Sequence, residues 1–294
     1  MESEFSRKKP KTTTVSPCSK ATTSTRKGWW LVLPDNGIHA GVPETEYHAD
    51  PRSLSSTGAR TLLYDGPSHY KWQRENPVHK DAYDLGSVVH ALVLGVGDFE
   101  VLQFDSWRTK AAQAARKEAR EAGATPILEA DFERAARICD AVRSNKTAAK
   151  ILAGGEPEMS MWATDPATGV LMRGRADYLL DGYLIDFKTS SKPVTPERFQ
   201  KTAWDYGYHL QMAWYMRILD RLGEPYRAPI WIVANTTGPF DVSIMQPDDE
   251  LLDFGFQQVR DALELYAHCV ENDQWPPAYD PNEIHTISAP AWAK

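Results

Sequence analysis

Between Glu156 and Ser190 the hydrophobic pattern stops running at helical spacing. It breaks into three short runs, "EPEMSMWATD", "VLMRGRADYLL" and "YLIDFKTS", separated by "DPATG" and "DG". Runs of this length between Gly, Pro and Asp turn signals read as an antiparallel meander. A meander must lay at least one face against something else, and the flanking sequence is helical.

Upstream, "SLSSTGARTLLYDGPSHYKWQREN" reads as two helices broken at "DGPS". "DAYDLGSVVHALVLG" carries Leu85, Val88, Val89, Leu92 and Val93 on one helical face. "WRTKAAQAARKEAREAG" is an Ala-rich helix stopped by Gly123, and "LEADFERAARICDAVRSNKTAAKILAGG" is one more, closed by Gly154 and Gly155. Downstream, "TPERFQKTAWDYGYHLQMAWYMRILDRLG" is a long helix or a helix pair, from Pro196 to Gly223. "APIWIVANT" and "FDVSIMQ" are two further strands, and "PDDELLDFGFQQVRDALELYAHCVEN" is a closing helix with an acidic first turn. The order predicts an α/β (α+β) fold, with a helical N-terminal half and then a central mixed sheet flanked by helices.

Residues 1–28 cannot build a core. They hold seven Lys/Arg against two Glu and read as a disordered basic arm, with residues 29–294 as one domain and "WWLVLPDN" as a short strand or anchor at its start. The arm is a solvated tail or a weak phosphate contact. Three scattered cysteines suit neither a disulfide framework nor a four-cysteine metal site, so a reducing, intracellular compartment is expected. There is no apolar run of membrane-spanning length and no secretory leader pattern. A net charge of −7 argues against coating nucleic acid by bulk positive charge, but not against gripping it in one groove.

The residue types that bear chemistry cluster around the meander. Pairing across Asp181–Gly182 would put Asp177 and Asp186 on neighbouring strands at comparable heights. Period-two alternation puts Asp186 and Lys188 on one face and points Phe187 into the core. Two carboxylates there could hold Mg²⁺, with the Phe187 carbonyl as a further ligand, and a lysine beside them could stabilise charge on a phosphate. Solvated strand ends would give the same letters. Glu158, at the start of the preceding strand, is either an exposed charge or another metal carboxylate. His90, with Gly86 one turn earlier, is either a core histidine or a ligand. Gln211 and Tyr215 share a helix face, with Tyr208 one turn before; they could bind phosphate oxygens or belong to an aromatic core stripe. Asp181 belongs to the turn.

In this order, Gly86 to His90, Glu158, Asp177, Asp186-Phe187-Lys188 and Gln211 to Tyr215 form a pattern that resembles the PD-(D/E)xK nuclease superfamily. Within it, the pattern resembles the RecE-like (exonuclease VIII-like) exonucleases of phages and prophages. The resemblance spans nearly all of the chain after the arm, and its fold would be the restriction-endonuclease-like core. It implies metal ligation by His90, Asp177, Asp186 and the Phe187 carbonyl, with Glu158 as a further acidic group. It implies that Lys188 positions the attacking water, and that Gln211, Tyr215 and Tyr208 bind the scissile strand. It also implies a Mg²⁺-dependent exonuclease, with Mn²⁺ as a substitute, cutting linear double-stranded DNA from 5′ to 3′ and leaving 3′ tails for phage-type recombination. The implied partners are duplex DNA ends, a single-strand annealing recombinase and further copies of the chain in a ring, in the host bacterial cytoplasm. Two alternatives are a single-strand or structure-specific repair nuclease of the same fold, and a non-catalytic DNA-binding or assembly protein. The iron–sulfur branches of the superfamily need four cysteines and do not fit. There is also no G-x-x-x-x-G-K-[ST] loop for an ATP-driven motor.

Overall fold

The computed structural model describes residues 35–76 and 84–289. The basic arm and the "WWLVLP" stretch lie outside the described residues.

The helical half begins with β1 (Gly37–His39) and α1 (Glu44–Ala49). β2 (Leu54–Ser55) leads directly into α2 (Ser56–Tyr64), where Ser55 Oγ accepts the Gly58 N–H at 3.1 Å. A cap of this kind contributes about 1 kcal/mol. The expected break at "DGPS" separates α2 from α3 (Pro67–Glu75). Next come α4 (Asp84–Leu94), β3 (Phe99–Leu102), α5 (Lys110–Glu121), β4 (Thr125–Leu128), α6 (Glu129–Ser144) and α7 (Lys146–Ile151).

Two expectations change here. The segment read as one helix to Gly154 is two, because Asn145 adopts an extended ψ of 113° and its Oδ1 accepts the Thr147 and Ala148 N–H groups. That is a helix start placed inside an apparently continuous pattern. Also, the first half carries short strands that its hydrophobic periodicity does not announce. β3 and β4 pair in parallel as a separate two-stranded sheet.

The second half follows the sequence reading closely. β5 (Glu156–Thr164), β6 (Leu171–Leu180) and β7 (Tyr183–Ser190) form the antiparallel meander. The long helical segment is a pair, α8 (Pro196–Asp205) and α9 (Tyr208–Arg221), hinged at Gly207. This pair crosses over so that β8 (Ala228–Asn235) pairs in parallel with β7; β9 (Val242–Met245) follows antiparallel, and α10 (Asp249–Asn272) closes the chain. The main sheet has the order β1-β5-β6-β7-β8-β9, with β2 also on β6. It is a mixed α/β sheet flanked by helices, as expected.

The sheet buries both faces. Met161, Met172, Ala176, Leu184, Trp231 and Val233 pack under α2, α9 and α10. Ile185, Phe187, Ile230, Ile232 and Ala234 pack on the other side against α4 and α6. Among the described residues, no helix is long and apolar enough to cross a membrane.

One detail of the sheet positions everything that follows. β6 pairs with β5 along nearly all of one edge, but its other edge is shared. β2 takes Met172 and Arg173, while β7 takes only Tyr178 to Leu180. Between these contacts the edge is open. Asp177 would face Asp186 one step past the last β6–β7 pair, Tyr178 with Ile185. Helix α9 fills the gap: Trp214 Nε1 donates to the Arg173 carbonyl at 2.9 Å, and the Tyr215 ring lies on Gly174. A Cβ at Gly174 would stand 2.7 Å from Tyr215 Cδ1, so only glycine admits the ring.

Candidate metal and active site

The site lies where β6 and β7 part. Helix α4 delivers His90 from the opposite side of the sheet; Gly86 lies one turn earlier, and a Cβ there would make an ordinary contact with Thr189 Oγ1 at 3.4 Å. His90 Nε2 is 3.1 Å from Asp177 Oδ2, and His90 Nδ1 is 3.2 Å from Glu158 Oε1. The three side chains can bring one ligand atom each within 4.8 Å of the others.

The backbone is irregular at both carboxylates. Glu158 and Asp177 face each other across β5 and β6, and their step is missing from an otherwise continuous register. Glu158 has φ of 54°, a left-handed conformation that costs a non-glycine residue of order 1–2 kcal/mol. Such a kink re-aims a side chain. Here it turns Glu158 toward His90.

Asp186 and Lys188 share the other face, as alternation predicts. Lys188 Nζ is 2.7 Å from Asp186 Oδ2. Asp186 is completely buried, yet among the described residues neither of its oxygens has a hydrogen bond of good geometry. Phe187 points away into the core, and its N–H donates to Asp177 Oδ2 at 2.7 Å. Within a strand the N–H and C=O of one residue project to the same edge. The Phe187 carbonyl therefore faces the same opening, where β6 offers it no register partner.

Lys188 is held from the helix side. Its ammonium donates to Gln211 Oε1 at 3.1 Å and lies 4.6 Å from the centre of the Tyr208 ring. Gln211 Nε2 donates in turn to Tyr215 Oη at 2.9 Å. Tyr215 is buried, so it reaches the site through Gln211 rather than by its own exposed surface.

Electrostatics follow from this crowding. Burial opposes charge on His90, but Asp177, Glu158 and Asp186 outweigh it and raise the imidazole to about 9. Burial raises Glu158 to about 6, with Asp177 adding and His90 and Arg175 opposing. Burial also raises Asp186 to about 6 against the pull of Lys188. Asp177 is held below the usual carboxylate range; burial opposes this, and His90, Lys188 and the Phe187 N–H prevail. Lys188 is raised despite burial, by Asp186 and Asp177. A buried, under-bonded carboxylate among other carboxylates has too few positive partners.

That is the environment a divalent cation corrects. The donor set is carboxylate-rich with one imidazole, and among the described residues Asp186 Oδ1 has no hydrogen-bond partner. Hard oxygen-preferring cations fit such a set.

Arg175 was not singled out from sequence. Its guanidinium lies 3.7 Å from Glu158 Oε2 and 4.3 Å over the Tyr47 ring, and it donates to Ser160 Oγ and the Val42 carbonyl at 2.8 Å. The signal was present in "MRGRAD": Arg173, Arg175 and Asp177 recur with period two in an apolar strand. Arg173 is buried and donates to the Asp50 and Ser53 carbonyls. It anchors the start of α2 to β6.

The family described as "PDDEXK-like domain of unknown function (DUF3799)" matches residues 67–283. The chain belongs to this family. A candidate exonuclease from Eubacterium rectale has a similar structure, with 16% identity and a TM-score of 0.56 over 84% of this chain and 94% of its own. At that identity the likeness speaks for the PDDEXK-like fold alone. A phage-related exonuclease from Haemophilus somnus is 14% identical over 76% of this chain and 96% of its own, with a TM-score of 0.34, too low to carry an argument. No curated protein matches the chain.

Proposed function

We propose that this PDDEXK-like protein is a divalent-metal-dependent exonuclease acting on the ends of linear double-stranded DNA. The observation that carries the reading is the convergence of His90, Glu158 and Asp177 beside the Lys188–Asp186 pair, at the parting of two strands. A solvated hairpin end has no physical reason to bury Asp186 completely with the Lys188 ammonium as its one close partner among the described residues.

In this reading His90, Glu158, Asp177, Asp186 and the Phe187 carbonyl face the metal, which is Mg²⁺ or, as a substitute, Mn²⁺. The bound cation supplies Lewis-acid stabilisation of the phosphate and an acidified water. Lys188 stays charged, orients the attacking water and neutralises charge that develops on the phosphate. Gln211 fixes the lysine through its Oε1, and Tyr215 fixes Gln211. Tyr208 supports the ammonium from beneath and stands beside the substrate strand. Release of 5′-phosphorylated nucleotides follows from attack that breaks the bond to the 3′-oxygen.

The 5′-to-3′ direction, a ring of copies around DNA, a single-strand annealing partner, phage-type recombination and the host bacterial cytoplasm are parts of this proposal that rest on the family resemblance. The test is digestion of 5′-labelled linear duplex, single strand and closed circle, each with Mg²⁺ and with EDTA. Mg²⁺-dependent loss of label from linear duplex alone is expected. Equal cutting of the closed circle would overturn the exonuclease reading.

A further inference from the structure

The elbow between α8 and α9 carries aromatic surface that the proposed chemistry does not use. Tyr206 is 56% exposed and stacks on Tyr208, with ring centres 5.8 Å apart and planes 19° from parallel. Tyr208 is the ring beneath the Lys188 ammonium. The exposed face of Tyr206 is therefore one ring removed from the lysine of the site.

The elbow is pinned rather than loose. Arg60, on α2, donates to the Tyr206 carbonyl at 2.9 Å. Its aliphatic stem lies against Gly207, whose φ of 66° makes the turn. The Tyr206 N–H is bonded to the Thr202 carbonyl at 3.0 Å. Phe199 closes the inner side of Tyr208 at 6.0 Å. An exposed aromatic face held in place, with the Lys188 ammonium under the second ring, matches an unpaired nucleotide: a flat base beside a phosphate.

We infer that the Tyr206–Tyr208 pair is a stacking platform for unpaired bases of the strand being cut, next to the scissile phosphate. The inference deepens the nuclease reading and rests on it. It assigns a base-binding role to Tyr206 and a positioning role to Arg60. Stacking is indifferent to base identity because every base has a π-face, which suits an enzyme that digests any sequence. It also favours a frayed end over a fully paired one.

The test is equilibrium binding in EDTA, so that nothing is cut. The probes are duplexes with a short single-stranded tail, of thymidine or of abasic sugar-phosphate, in both tail polarities. Wild type is expected to prefer the thymidine tail. Tyr206→Ala should bind the thymidine tail about 5- to 100-fold more weakly and lose the preference, with binding to the abasic tail unchanged. Tyr206→Phe keeps the ring and should keep the preference. Tyr226→Ala, at a still more exposed aromatic beyond the far end of α9, should behave as wild type. Thermal melting checks that each variant is folded.

If Tyr206→Ala retains the preference, or weakens both tails equally, the platform is wrong. It is also wrong if wild type does not distinguish the tails. Digestion of duplex by wild type with Mg²⁺ separates the two claims. Cutting without base preference overturns the platform alone. Base preference without cutting overturns the nuclease reading and leaves only a base-binding surface.

Discussion

Four aspartates of the β5–β7 meander sit in two kinds of place. Asp165 and Asp181 are at the closed ends, in the turns; Asp177 and Asp186 are at the open end, where β6 and β7 part. The turn carboxylate of Asp165 is satisfied by its surroundings. It accepts from the Ala167 and Thr168 N–H groups, from Thr168 Oγ1, and from Arg217 at 2.8 Å. Asp186 is as deeply buried and, among the described residues, has only the Lys188 ammonium. The same residue type in the same sheet is held below the usual carboxylate range in one place and raised to about 6 in the other. The closed ends are arranged for stability, and the open end gives up local satisfaction to keep a charge ready for a ligand.

The sharpest way to break this contrast is Asp186→Ala. Removing that carboxylate should lower Mg²⁺-dependent cleavage of end-labelled duplex by about 10³-fold or more. Stability should also fall, because the buried Lys188 loses its 2.7 Å partner, so the rate is compared on the folded fraction measured by thermal melting. A variant cutting at wild-type rate would place the chemistry elsewhere.

Gly174→Ala attacks the gap rather than the charges. The added methyl meets the Tyr215 ring, and overpacking of this kind costs about 1–3 kcal/mol. Moving Tyr215 also moves Gln211 and hence Lys188. Chemical denaturation should register the lost stability, and cleavage by the fraction still folded should also fall. An unchanged rate in that fraction would separate the tyrosine from the site.

Asp165→Asn tests the closed end by pH. Burial opposes charge on Asp165, but Arg217 and the Thr168 donors depress its pKa. A depressed carboxylate stabilises the fold above its unfolded pKa of about 4, and that stability is lost as pH falls through the lower folded value. Wild type should therefore exceed the variant by about 1–2 kcal/mol at neutral pH, with the gap closing in acid. A gap independent of pH would mean that packing, not charge, holds the turn.

Much of this contrast was legible in the letters. Period two put Asp186 with Lys188 and turned Phe187 inward, and the Asp181–Gly182 turn set Asp177 opposite Asp186. These are local rules that a strand cannot evade. What was not legible depends on partners distant in the chain. Arg217 on α9 completes Asp165, and Tyr206 shows its exposed face only because the helix pair bends at Gly207; for His90 the spacing left a core histidine and a ligand both open, and only the family resemblance chose between them. The left-handed Glu158 has no sequence signal, since its conformation is imposed by neighbours. β1 to β4 escaped because two to four residues are too few for a period to show.

The smallest expected effect completes the comparison. Asp181 is an exposed turn residue beside Gly182, whose φ is 79°, and it caps a hairpin already closed by the Leu180–Tyr183 pair. Asp181→Ala should change stability by no more than about 0.5 kcal/mol and leave cleavage and metal dependence as they were. The value of so small a change lies in its position. Asp181 and Asp186 are five residues apart on one hairpin, and both carry a carboxylate that composition or net charge cannot distinguish. If the two alanine variants lost activity to a similar degree, negative charge near the hairpin would matter rather than the open end itself. Metal affinity measured by calorimetry on both variants decides this: loss confined to Asp186→Ala ties the function to the parting of the strands.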